Sequence, residues 1–143
     1  MAIRNMAELQ KMLEKQARDI CEMAANEVYE AINYYLSQYY SEWEPKLYLR
    51  TESMLHSAFK TKVVQVGNSF KAEVGIDYEA LDDYIDATGW EVVNWANTEE
   101  HGGMNVNTHT RVFSDAVDNT INNGQLLADC IEFLRKRGFI VIS

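Results

Sequence analysis

Forty residues, Asn5 to Glu44, pass without a glycine or a proline, and no other feature narrows the possible folds as far. Pro45 then ends the run, because its ring and missing N–H break a helix that tries to continue. Leu9, Leu13, Ala17, Ile20, Ala24, Val28, Ala31, Tyr35 and Tyr39 recur at steps of three and four, which keeps them on one face of a helix. Asn5 followed by Glu8 three positions on is a capping-box signature. The spacing predicts one helix over about 6–42, roughly 50–55 Å long at 1.5 Å per residue. A compact globule of 143 residues has a diameter of roughly 35–40 Å. The helix outruns its own body, and something beyond the subunit's core is expected to cover one end.

The aromatic end of the helix is the expected overhang. Tyr29, Tyr34, Tyr35, Tyr39, Tyr40, Trp43 and Tyr48 fall within twenty residues. Adjacent helical residues diverge by about 100°, so the pairs Tyr34/Tyr35 and Tyr39/Tyr40 cannot all face one core. Either Tyr35 and Tyr39 are core and the others lie flat on the surface, or the others form a second contact surface. Tyr and Trp suit contact surfaces because they offer large area with little entropy to lose.

Beyond Pro45, Thr51 is placed to cap a short helix or turn. Thr61–Val66 and Phe70–Ile76 are β-rich runs around Gly67-Asn68-Ser69, which predicts an antiparallel hairpin over about 61–76. Tyr78–Ile85 reads as a short helical turn, and 87–110 as an extended arm that includes a possible strand at Trp90–Trp95. Within the arm, Asn97–Thr110 is polar and without period, and long loops in compact domains are commonly functional. Helices follow over about 111–137, interrupted at Asn122-Asn123-Gly124. Arg135, Lys136 and Arg137 close the last turn where cations suit the helix dipole, with Gly138 placed as the residue after the cap. Phe139–Ile142 is expected to be a final strand joining the hairpin sheet. The fold class is α+β in a single domain, 1–143: a long N-terminal helix on a small, mainly antiparallel sheet, with one or two C-terminal helices and an arm.

The formal charge is −9, from 13 Lys+Arg and 22 Asp+Glu, with a pI near 4.7. That balance argues against autonomous binding to the DNA backbone or to an anionic membrane. No run reaches the length of a transmembrane helix, and the first residues lack the apolar core of a signal peptide, so the chain is expected to stay in the cytosol that made it. The charge is uneven. Residues 72–120 hold 11 acidic groups and one basic one, Arg111, whereas 41–71 hold five basic and three acidic groups. The acidic run needs water, a basic partner, or a reason to repel something anionic. A solvated acidic face is the commoner of these.

The search for chemistry finds little. His56, His101 and His109 are the three histidines, without the spacing of a metal motif. Glu99, Glu100, His101 and His109 share a loop whose polarity explains them without a metal. Asp82, Asp83 and Asp86 diverge on a short helix, so they do not form an acid/base pair. No phosphate-binding loop, nucleophile elbow or dinucleotide fingerprint occurs. Cys21 and Cys130 read as free buried thiols. The chain is expected to be non-enzymatic, with no cofactor and no metal.

The order of elements resembles the tail-component family of long-tailed bacteriophages, also called tail-completion or head–tail joining proteins, of the Hong Kong 97 gene-product-ten type. That family carries Thr-Gly-x-Leu-x-x-Ser before its hairpin, and Thr51-Glu52-Ser53-Met54-Leu55-His56-Ser57 occupies the place. Thr51 and Ser57 match, Met54 is conservative, and Glu52 departs from the Gly. Phe113-Ser114-Asp115-Ala116 resembles the family's Phe-x-x-Ala. Tyr78 resembles the Tyr after the second strand, but the Glu-x-Gly-Thr that often follows is absent. The resemblance implies a virion protein made in the host cytoplasm that assembles, usually as a ring, at the neck or head-proximal end of the tail. Its implied partners are other copies of itself, tail-tube and connector proteins, and genomic DNA passing through the lumen without specific binding. On this reading Tyr34, Tyr40, Trp43, Arg50, Trp90 and Trp95 are candidate contact residues, and Asp82, Asp83 and Asp86 a candidate acidic lumen face. The competing reading is a small cytosolic α+β adaptor or regulatory protein that binds through the 90–110 arm.

Overall fold

The computed structural model describes residues 2–42, 54–79, 90 and 111–142. The fold is α+β, as expected. Helix α1 spans Met6–Glu42. Its first turn is closed as the sequence requires: the Glu8 N–H donates to Asn5 Oδ1 at 3.0 Å, and Glu8 Oε2 reaches back to the Arg4 N–H at 2.8 Å. The return bond lands one residue before the cap, but two otherwise orphaned donors are satisfied.

A 3-10 turn, Met54–His56, leads into four short strands: β1 (Ala58–Lys60), β2 (Val64–Val66), β3 (Ser69–Lys71) and β4 (Val74–Ile76). They form one antiparallel hairpin in two pieces, three residues longer at its start than the sequence suggests. The tip pair, β2–β3, has Val64 opposite Lys71 and Val66 opposite Ser69, and turns through Gly67 at φ +61°. The base pair, β1–β4, has Ala58 opposite Ile76 and Lys60 opposite Val74. Thr61 prolongs the base by one step, donating its N–H to the Glu73 carbonyl and accepting the Glu73 N–H on Oγ1, both at 2.8 Å. From there to the tip the register slips by one: Lys62 and Val63 face Ala72 alone. This is a β-bulge, which kinks a strand and re-aims its side chains. Gly75 lies opposite Phe59, and a Cβ there would stand 3.2 Å from the ring.

After the arm, α2 (Val112–Val117) runs through a π-turn, Asp118–Asn122, into α3 (Gln125–Lys136). Gly124, at φ +81°, makes the corner. The end of α3 is a Schellman motif, with Phe139 N–H on the Leu134 carbonyl, Gly138 N–H on the Arg135 carbonyl, and Gly138 at φ +89°.

The core is small: Ile32, Leu36 and Tyr39 of α1 against Val112 and Ala116 of α2, flanked by Leu55, Ala58, Val74 and Ile76. Two expectations change here. The buried face of α1 is centred on Ala25, Ile32 and Leu36, each one residue beyond Ala24, Ala31 and Tyr35. The overhang is also at the other end. The aromatic half of α1 carries the core, whereas no residue of Met6–Lys15 is buried; Met6 is 77% and Leu13 51% exposed. The aromatics buttress their own subunit because α2 and the hairpin base converge there.

The expected final strand does not form. Residues 139–142 form no strand, and Ile140 and Ile142 are each 92% exposed. On α1, the residues that meet α3 (Gln16, Asp19, Glu27) lie roughly 120° around the helix from those that meet the hairpin (Arg18, Asn26, Tyr29) at 100° per residue. The tail leaves α3 on the wrong side to reach the sheet. The expected turn through Ile85, the arm's possible strand and the Thr51 cap lie outside the described residues.

Candidate functional site

Three places on the described surface concentrate side chains beyond the needs of the core. At the aromatic end, Tyr34 is 57% exposed and meets Tyr35 edge to face at 5.0 Å between ring centres. Tyr39 and Tyr40 pair likewise at 5.9 Å, and Tyr40 is half-buried against the core. Burial above all, with Asp115 and Tyr34 adding to it, pushes the Tyr35 phenol above its ordinary range. Farther along the chain, exposed Trp90 packs edge to face on Tyr78 at 5.5 Å. Of the sequence-predicted contact residues, Tyr34 and Trp90 are therefore presented to solvent and Tyr40 is half-buried in its own subunit. Trp43, Arg50, Trp95 and the acidic trio Asp82, Asp83 and Asp86 lie outside the described residues.

The second place is a cleft of about 350 Å³ between α1 and the bulge in the hairpin. Arg18 and Glu22 line it from the helix, Lys60 and Lys62 from the strand, over a floor that includes Ala25 and Val63. Arg18 lies on the Phe70 ring at 5.0 Å, and Lys60 on the Tyr29 ring at 5.4 Å while bonding Asn26 Oδ1. These ring contacts hold the charged heads without neutralising them.

The third is an acid pair at the α1–α3 contact. Glu27 shares a hydrogen bond with Asp129, whose Oδ1 also accepts from Gln125 Nε2 at 2.8 Å. Burial, then Asp129, then Glu30 push the Glu27 carboxyl from 4.5 up to about 7. Next to it, burial followed by the charges of Glu27 and Asp129 raises the Cys130 thiol. Its thiolate is disfavoured, so it is an unreactive sulfur. Cys21 and Cys130 are both free and half-buried. A few residues away Arg137 bonds Asp19 at 2.5 Å and Gln16 at 2.9 Å while stacking on Phe133 at 4.2 Å. Among the described residues no group of three or more His, Cys, Asp or Glu is arranged to hold a metal, and no helix is long and apolar enough to cross a membrane.

The YomN family profile matches residues 5–136. The chain belongs to the YomN family. The matched span begins at the Asn5 cap and ends on the last residue of α3, so the YomN unit is the whole helix–hairpin–helix body without the exposed tail. YomN is a phage-associated family, and this is a phage-associated protein. No curated protein and no solved structure matches the chain.

Sequence reasoning missed both the cleft and the acid pair in this YomN-family chain. The acid pair had a signal: Glu27 sits among Ala24, Val28 and Ala31 at helical spacing, a carboxyl in an apolar stripe. The cleft had only the Lys60/Lys62 spacing of two, which does not announce that Arg18 of the helix lies across from it.

Proposed function

We propose that this YomN-family chain is a structural virion protein that assembles, as a ring, at the neck or head-proximal end of a phage tail. The observation that carries the reading is the first part of α1, which stands out from its own core with Met6 and Leu13 exposed on it. A helix with apolar side chains outside its own core gains by burying them on a neighbour. Rings use heterologous contacts, where one surface meets a different surface of the next copy; an overhanging helix and a cleft on one subunit are suited to that geometry. The partners on this reading are further copies, tail-tube and connector proteins, and genomic DNA that passes without specific binding. The role is non-enzymatic and the location is the virion.

The test is a phage that carries a deletion of the gene, examined by electron microscopy and by mass spectrometry of purified wild-type virions. The expected result is the protein in the virion, and separate filled heads and tails when it is missing. Intact particles from the deletion, together with absence of the protein from wild-type virions, would refute the role.

A further inference from the structure

The cleft between α1 and the bulged strand holds cations that nothing in the described structure neutralises. Among the described residues, the ion pairs join Lys71 to Glu73, Arg111 to Asp115, Lys136 to Glu132 and Arg137 to Asp19. Arg18, Lys60 and Lys62 are in none of them, although all three line one space in which Glu22 is the one carboxylate among the described residues. In a chain of net charge −9, three such cations in one recess mark a place for an anion. Lys60 and Lys62 share a side at the two-residue strand period, and the bulge turns Val63 toward the same cleft, where without the slip it would alternate away from Lys62.

We propose that this cleft receives a carboxylate-rich segment from a second copy of the chain, the acidic run between Asp77 and Glu91. That run has six acidic residues and no basic one, interleaved with Tyr78, Tyr84 and Trp90. Its charge matches the recess, and its apolar side chains match a floor that includes Ala25 and Val63. Of the three uses open to the acidic run, the cleft favours a basic partner over repulsion of DNA. A phosphate backbone is the poorer occupant, because a long polyanion must also approach the other negative charges of the chain. The inference rests on the assembly reading, and supplies the two unlike surfaces that a ring needs.

The experiment uses the full-length protein and three variants: Arg18→Glu/Lys62→Glu, the milder Arg18→Gln/Lys62→Gln, and Asp82→Asn/Asp83→Asn/Asp86→Asn. Circular dichroism first establishes that each is folded, and sedimentation velocity then reads self-association. The wild type is expected to associate in a salt-sensitive way. Both the charge-reversed cleft and the neutralised run should weaken association about tenfold or more, with the Gln pair between them. Mixing the cleft variant with the acidic-run variant should restore dimers and nothing larger, because one intact cleft then meets one intact run. Wild-type protein that stays monomeric at all concentrations overturns the inference, while the virion experiment above still decides the assembly role. Variants that associate like wild type, or a duplex DNA probe that binds the wild type and is lost with Arg18→Glu/Lys62→Glu, also overturn it.

Discussion

Replacing Asp129 by Asn should stabilise this protein above neutral pH, although the change deletes a charge from an ordered helix contact. Glu27 and Asp129 meet where α3 docks on α1, and the Glu27 carboxyl titrates near 7 instead of 4.5, first because it is desolvated and then because Asp129 faces it. A raised carboxyl favours the protonated folded state, so folding is helped most below pH 4.5. That help is lost as pH rises toward 7, and above 7 two carboxylates face each other. At about 1.4 kcal/mol per pH unit, the displacement sets a ceiling of roughly 3 kcal/mol. Glu27 is half-buried, and solvent screening brings the recoverable part to about 1–2 kcal/mol. Asn at 129 keeps an oxygen for the Gln125 donor and presents an N–H to Glu27. Urea unfolding at pH 5 and pH 8 measures the effect. Wild type should be more stable at pH 5 than at pH 8 by about that amount, and Asp129→Asn should narrow the difference by gaining at pH 8, leaving the part that burial of Glu27 causes. Equal or lower stability of the variant at pH 8, with the wild-type slope retained, would refute the reasoning.

Leu36 is fully buried at the centre of the core, and Leu36→Ala should cost about 2–5 kcal/mol in chemical unfolding through lost burial and a residual cavity. Gly138 holds φ +89° with open space where a Cβ would stand, so Gly138→Ala should cost on the order of 1 kcal/mol from backbone conformation alone, read as a lower melting temperature. Arg137 holds the Asp19 carboxyl below its ordinary value, chiefly by a direct hydrogen bond. Its contribution is present above pH 3.8 and fades as pH falls through the lowered value. Arg137→Gln should move the Asp19 titration back up, followed by carboxyl NMR.

What could be read in advance follows the range of the interactions involved. The Asn5–Glu8 cap, the turn at Gly67 and the Schellman end at Gly138 depend on residues within five positions of one another, and the sequence alone identifies all three. The choice between Ala31 and Ile32 as the buried line on α1 depends on the angle at which α2 arrives, which no local pattern encodes. The tail fails for a similar reason. Phe139–Ile142 has the composition of a strand, yet pairing needs an open edge within reach, and α3 delivers the tail around the helix from the hairpin. The cleft arises from hairpin and helix together, so Arg18 and the Lys60/Lys62 pair are not neighbours in any sequence window. The exposure of Tyr34 is legible because adjacent helical residues diverge by about 100° and Tyr35 turns toward the core.

The one-sided seating of α1 makes the subunit a lever. Its fulcrum is the packed stretch that begins where Arg137 holds Gln16 and Asp19, and the arm from Gln16 back to Met6 is roughly 15 Å at 1.5 Å per residue. Tilting the fulcrum by about 10° would swing the tip by roughly 3 Å. In the proposed ring, small angular adjustments between neighbouring subunits would therefore be carried along the helix into shifts of reach at the amino-terminal tip, a mechanical means to tolerate a mismatch at the joint.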